Sequence, residues 1–148
     1  MRRAVRLLVA GAVATAAAFG MYAVDAAHGD AARPTLGPGL VTVDVGIRYS
    51  RFSFSTLRVR PGTVVRFLVH NDDPITHEFI VGDASVHARH ERGTEHAHPP
   101  VPGEVSVGSD DTGETFTRFD RAGRYEFACH LPGHLAYGMR GWVVVTSN

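Results

Sequence analysis

The chain contains no lysine, because all fifteen of its basic residues are arginine. Schiff-base and amine chemistry on a lysine side chain is therefore excluded. There is one cysteine, Cys129, so no disulfide can close within the chain. An excess of one charge is also missing: 15 basic residues face 15 acidic ones, and no basic footprint for a nucleic-acid partner exists. The sequence shows no internal repeat, no serine triad, no paired carboxylates placed for acid–base work and no phosphate loop. Its glycine-rich turns lack the strand-to-helix context that a nucleotide site requires.

The N-terminus carries an export pattern. Arg2, Arg3 and Arg6 precede an uncharged run of 18 residues, Leu7 to Val24, which gives way to Asp25, Ala26 and Ala27. That order predicts a secretory signal over 1–26, cleaved after Ala26, although the run is also long enough to serve as an uncleaved anchor. Arg2-Arg3 permits the twin-arginine route as well. The expected location is the periplasm, the exterior or the cell surface, with membrane contact only through an uncleaved N-terminal segment. About 122 residues would remain, enough for one domain. They carry 12 basic and 14 acidic residues, a formal charge of −2.

Residues 27–39 are rich in Gly, Pro and Ala and read as a linker, so the domain is expected over 40–148. There, short alternating or β-branched runs occur at 40–47, 52–59, 63–70, 77–82, 104–108, 114–119, 124–129 and 141–146, separated by turns such as Pro61-Gly62 and Asn71-Asp72-Asp73-Pro74. Seven to eight short strands without a convincing amphipathic helix predict an all-β fold, a single antiparallel Greek-key sandwich. Val64, Phe67 and Val69, and Tyr125, Phe127 and Cys129, are expected to face its core. The segment from Asp83 to Pro102, with His87, His90, His96 and His98, reads as a long loop.

In an oxidising compartment an unpaired cysteine is buried, joined to another chain or employed. Here its neighbours decide, because His134 and Met139 follow Cys129 at intervals of five residues on a turn containing Pro132-Gly133 and Gly138. A thiolate, an imidazole and a thioether together suit copper. A second imidazole must come from elsewhere. His77, just after the Asn-Asp-Asp-Pro turn, is preferred over His70 at the end of the preceding strand.

With these residues in view, the stretch from about Leu40 resembles the cupredoxins, the blue type 1 copper proteins such as plastocyanin and azurin. The resemblance is carried by "RPGTVVRFLVHND", "THEF", "YEFACHLPGH" and "GMRGWVVV". It implies the same sandwich, one copper held by His77, Cys129 and His134 in a plane with Met139 as axial ligand, and a one-electron carrier with no enzymatic activity. It also implies that redox partner proteins dock on the apolar surface around Leu131, Pro132, Leu135 and Tyr137. A monomer is expected. The C-x4-H-x4-M spacing departs from azurin-like and plastocyanin-like loops and is more similar to the blue site of multicopper oxidases. The His-Cys-His of those enzymes is here Ala128-Cys129-His130, which argues against a trinuclear cluster.

Three further expectations follow. His87, His90, His96 and His98 offer a second, labile copper or zinc site. His130, expected to be solvent-facing or backbone-bonded, and Glu78, expected at the rim, are candidates to tune the first site from outside its ligand shell. Two other functions stay open: sequestration, delivery or resistance to copper, and a small oligomeric copper oxidoreductase.

Overall fold

The computed structural model describes residues 34–92 and 101–146. The expected signal segment, His96 and His98 lie outside them. Eight strands and one helix follow in chain order: β1 (Gly39–Ile47), β2 (Thr56–Val59), β3 (Thr63–Asn71), β4 (His77–Gly82), α1 (Ala84–Arg92), β5 (Glu104–Val107), β6 (Thr112–Phe119), β7 (Gly123–Ala128) and β8 (Arg140–Val145). They form two facing sheets, β1-β3-β6 and β2-β8-β7-β4-β5.

The sandwich is mixed, which corrects the all-antiparallel expectation. β1 runs parallel to β3 and β2 parallel to β8, while the remaining pairs are antiparallel. Both parallel pairs join strands whose chain crosses from one sheet to the other between them, and such a crossover leaves the two strands pointing the same way. The expected strand at 52–59 also shortens. Its first half makes a single bridge, Phe52 with Ile47, and only Thr56–Val59 pairs with β8.

β3 shows the alternation that builds the core: Val65, Phe67 and Val69 are fully buried between strand positions that are half exposed. The two-residue period therefore places Val65 inward, and the expectation for Val64 fails by one position. Opposite them stand Phe79, Val81, Phe127, Val143 and Val145. Phe79 packs against Phe52, Phe67 and Phe127 with ring centroids 4.9 to 5.5 Å apart, a rigid aromatic layer.

β4 departs from alternation, since all six of its residues are buried. Its inner positions Phe79 and Val81 face the other sheet, and α1 packs on its outer side against Gly82. The helix corrects the reading of the segment from Asp83 to Pro102 as a loop over residues 84–92. Asp83 caps the helix, accepting hydrogen bonds from the backbone N–H of Ser85 at 2.9 Å and Val86 at 3.2 Å. Gly82 lets α1 settle directly on the strand, because a Cβ there would lie 2.7 Å from the Val86 side chain. The sequence hides this helix for a physical reason: histidines stand among its inward-facing residues where an amphipathic pattern would put aliphatic ones.

Candidate metal centre

The turn between β3 and β4 and the loop between β7 and β8 meet at one end of the sandwich. Cys129 follows β7 on the same face as Phe127 and is fully buried. The loop then folds back on itself: His134 N–H donates to Leu131 O, Met139 N–H to His134 O, and Cys129 N–H to Met139 O, at 3.0, 3.0 and 3.1 Å. Gly133 and Gly138, at φ +87° and +91°, allow the reversal. Cys129 and Met139 are thereby locked side by side at the base of the loop, and Met139 is buried in the core.

His77, Cys129 and His134 come together there, with one donor atom from each lying within 4.8 Å of the others. Cys129 Sγ is 3.2 Å from His134 Nδ1, and the His77 and His134 rings are tilted at 41° with centroids 4.8 Å apart. His77 is fully buried, yet its Nδ1 has no hydrogen-bond partner among the described residues. A buried polar atom is rarely left so, and an ion among the three donors would satisfy it.

The opposite nitrogen of His77 explains the orientation. Nε2 donates to Asp73 Oδ2 at 3.0 Å, which fixes the tautomer and leaves the lone pair on Nδ1. Asp73 is itself gripped by the backbone N–H of Tyr49 and Ser50 at 2.6 and 2.7 Å, in a turn where both residues adopt positive φ, 55° and 52°. Burial alone would raise the Asp73 pKa, but the Ser50 and Tyr49 N–H groups and His77 outweigh it and hold the carboxyl below its ordinary value. For His77 burial dominates and lowers the pKa, opposed by Asp73, so the ring is a neutral donor. Sequence reasoning missed Asp73, reading Asn71-Asp72-Asp73-Pro74 only as a turn. The signal was its place four residues before His77.

Cys129 Sγ accepts from the Glu78 backbone N–H at 3.4 Å, and burial pushes the thiol up to about 11. A bound ion would displace that proton. Thiolate and imidazole donors, with a thioether held at the same loop base, match copper and disfavour hard oxygen-seeking ions.

The other candidates fall elsewhere. Glu78 is buried, not at the rim; its Oε2 accepts from the His130 backbone N–H at 3.3 Å and ties the loop to β4. His70 lies on the outer surface of the other sheet, facing Thr112 at 3.1 Å and Asp44 at 3.3 Å. Leu131 and Leu135 are half-buried, while Pro132 and Tyr137 are exposed around the half-buried His134. His130 is turned away from the copper ligands toward α1, where its Nε2 meets His87 Nδ1 at 2.9 Å. It is therefore neither solvent-facing nor bonded through its ring to backbone. Burial first, then His87 and His90, lower its pKa to about 4.

A two-sheet sandwich with a His-Cys-His cluster at one end, two of its donors buried and the third half-buried, defines a cupredoxin. The chain belongs to the copper-binding plastocyanin/azurin family, whose model, described as copper binding proteins, matches residues 40–146. It is 38% identical over 120 residues to the copper-resistant cuproprotein CopI of Rubrivivax gelatinosus, covering 79% of this chain and 70% of that one. The protein of the same name from Pseudomonas aeruginosa is 29% identical over an alignment covering 95% of this chain and 97% of its own. Among solved structures, auracyanin from Roseiflexus castenholzii superposes with a TM-score of 0.61 at 18% identity, covering 72% of this chain and 97% of that one, a likeness of fold.

Proposed function

We propose that this chain is an exported copper-handling protein that protects the cell against copper by binding the ion at His77, Cys129, His134 and Met139. The observation that carries the reading is the 38% identity, over most of this chain, to a relative named for copper resistance. The N-terminal arginines and the uncharged Leu7–Val24 run supply the route out of the cytoplasm. In this role copper is cargo. Cys129 and His77 form the closed inner wall, and His134, half-buried among Leu131, Leu135 and Tyr137, is the side from which the ion enters.

The work of the protein's own groups is to select and to hold. Asp73 aims His77 Nδ1 before any ion arrives, so little ordering is left to be done on binding. Cys129 gives up its proton on binding, which couples uptake to pH. The soft sulfur excludes the hard cations that are far more abundant outside the cell.

Deleting the gene should sensitise cells to copper salts, with tolerance restored by the wild type and not by Cys129→Ser. A second reading, one-electron transfer, is favoured by the fully buried His77 and Cys129 donors and the apolar rim at Leu131, Pro132, Leu135 and Tyr137, where a redox partner would dock. Bound copper would then alternate between Cu(I) and Cu(II). Unchanged copper tolerance together with slowed electron flow in the deletion strain would move the assignment to this carrier.

A further inference from the structure

His77 and Cys129 use the inner face of β4 and the end of β7, and three histidines gather on the outer face of the same strands. His130 continues the outer face of β7, one residue after Cys129. His87 and His90 come from α1, three residues apart and therefore on one side of the helix. The rings gather around His130: His87 lies 5.1 Å away between centroids and tilted at 39°, and His90 stacks on it at 5.7 Å and 27°.

The hydrogen bonds assign the nitrogens. His87 Nε2 donates to Glu126 O at 3.1 Å, so its Nδ1 carries the lone pair that faces His130 Nε2 at 2.9 Å. His90 Nδ1 donates to Val86 O at 2.9 Å, one turn back in its own helix, and its Nε2 stands 3.2 Å from Glu104 Oε2. His87 is buried, and the side chains of His90 and Glu104 are about nine-tenths buried. His130 Nε2–H therefore donates to His87 Nδ1, and moving that proton to the other nitrogen of the His130 ring turns the two facing nitrogens into a chelating pair. An ion about 2.05 Å from each nitrogen, at a tetrahedral angle, would hold them about 3.3 Å apart, so an opening of only about 0.4 Å admits it.

We propose a second cation site, distinct from the His77-Cys129-His134 centre, in which His87 Nδ1 and His130 Nε2 form the chelating pair and His90 Nε2 swings from Glu104 to complete it. Three imidazoles without a thiolate suit Cu(II) and Zn(II), and copper binds such a set more tightly. The site takes copper, with zinc as competitor. It redraws the expected His-rich site, since His130 enters from the far side of the chain and neither His96 nor His98 is required. It stands independently of the proposed role in copper resistance.

The test uses the full chain loaded with one equivalent of copper, so that the thiolate centre is filled and visible. Further Cu(II) is added while copper per chain, the visible band and the electron paramagnetic resonance spectrum are followed. The expected result is one more copper per chain without growth of the intense band, displaced by excess Zn(II). His87→Gln and His130→Gln should each keep the band and weaken the second ion about tenfold or more, whereas a His96→Gln/His98→Gln protein should retain it. A second copper bound equally well by the His87→Gln/His130→Gln protein, or lost only in the His96→Gln/His98→Gln protein, overturns the site. If a variant loses the visible band, the wild type with its copper reduced by ascorbate is titrated with Zn(II) instead. The 15N resonances of His87 and His130 must then shift together, and unmoved resonances overturn the site equally.

Discussion

On the inner face of β4 and β7, His77 Nδ1 has no partner among the described residues and Asp73 holds the ring from behind; on the outer side of the same two strands, His130 Nε2 donates to His87 Nδ1 and the Glu126 carbonyl holds the rear of His87. A single step along the chain, Cys129 to His130, separates the two environments, because successive side chains of an extended chain point to opposite faces. The difference shows that donor type, more than histidine count, sets what each face can do. A sulfur buried against the aromatic layer suits the inner face to a soft ion, whereas imidazoles under a helix would make the outer face the proposed borderline site, one that must open slightly to be filled. The inner one is preorganised.

The strongest way to break this contrast is Cys129→Ser. It should abolish the intense thiolate-to-copper absorption, an all-or-none effect, while leaving the outer histidines in place to bind copper without that colour. Retention of the band would remove the sulfur from the site altogether.

The same sulfur gives the next largest effect, on the metal-free protein. Burial raises the thiol from its ordinary value of 9.0 to about 11, so the folded chain keeps a proton that the unfolded chain releases. Stability is then complete below pH 9 and falls as pH rises toward 11, by up to roughly 3 kcal/mol. Urea denaturation of the metal-free wild type and of Cys129→Ser across that window should diverge by about this amount. Parallel curves would mean that the thiol is not desolvated as the core packing implies.

Two substitutions then sharpen one face at a time. Gly82→Ala forces a Cβ into Val86 and should cost about 1–3 kcal/mol as α1 is pushed off β4, which would remove the outer site while the inner colour persists. Loss of colour in this variant would show that the two faces are not separable. Asp73→Asn leaves the outer face untouched and weakens the hold on His77 and on the Tyr49-Ser50 turn. Copper affinity, measured by competition with a chromophoric chelator, should fall about 10- to 100-fold. An unchanged affinity would reduce Asp73 to a structural part of the turn.

The sequence displays these features unequally, for physical reasons. Strand positions are legible wherever one face is wet: β3 alternates cleanly, and 77–82, 63–70 and 124–129 lie within a residue of the observed bounds. The grouping of Cys129, His134 and Met139 is legible because one short loop carries all three. What escapes is whatever depends on contacts distant in sequence. Strand direction in the β1-β3 and β2-β8 pairs, the helix whose buried side includes histidines, the burial of Glu78 and the meeting of His87 with His130 all arise from packing between segments that local periodicity does not connect.

The smallest expected effect tests the choice of histidine most directly. His70 and His77 are seven residues apart and flank the same turn, but the fold sends them to different sheets. His70 is 40% exposed and meets, among the described residues, Thr112 and the still more exposed Asp44, where screening leaves an ion pair worth little. His70→Ala should therefore leave the visible band and the copper stoichiometry unchanged and alter stability by no more than about 0.5 kcal/mol. His77→Ala, by contrast, removes the ring whose lone pair points into the cluster and strands the Asp73 carboxylate below it, so the same titration should lose the band. Equal behaviour of the two variants is the result that this geometry forbids, because only one of the rings lies within reach of Cys129 Sγ.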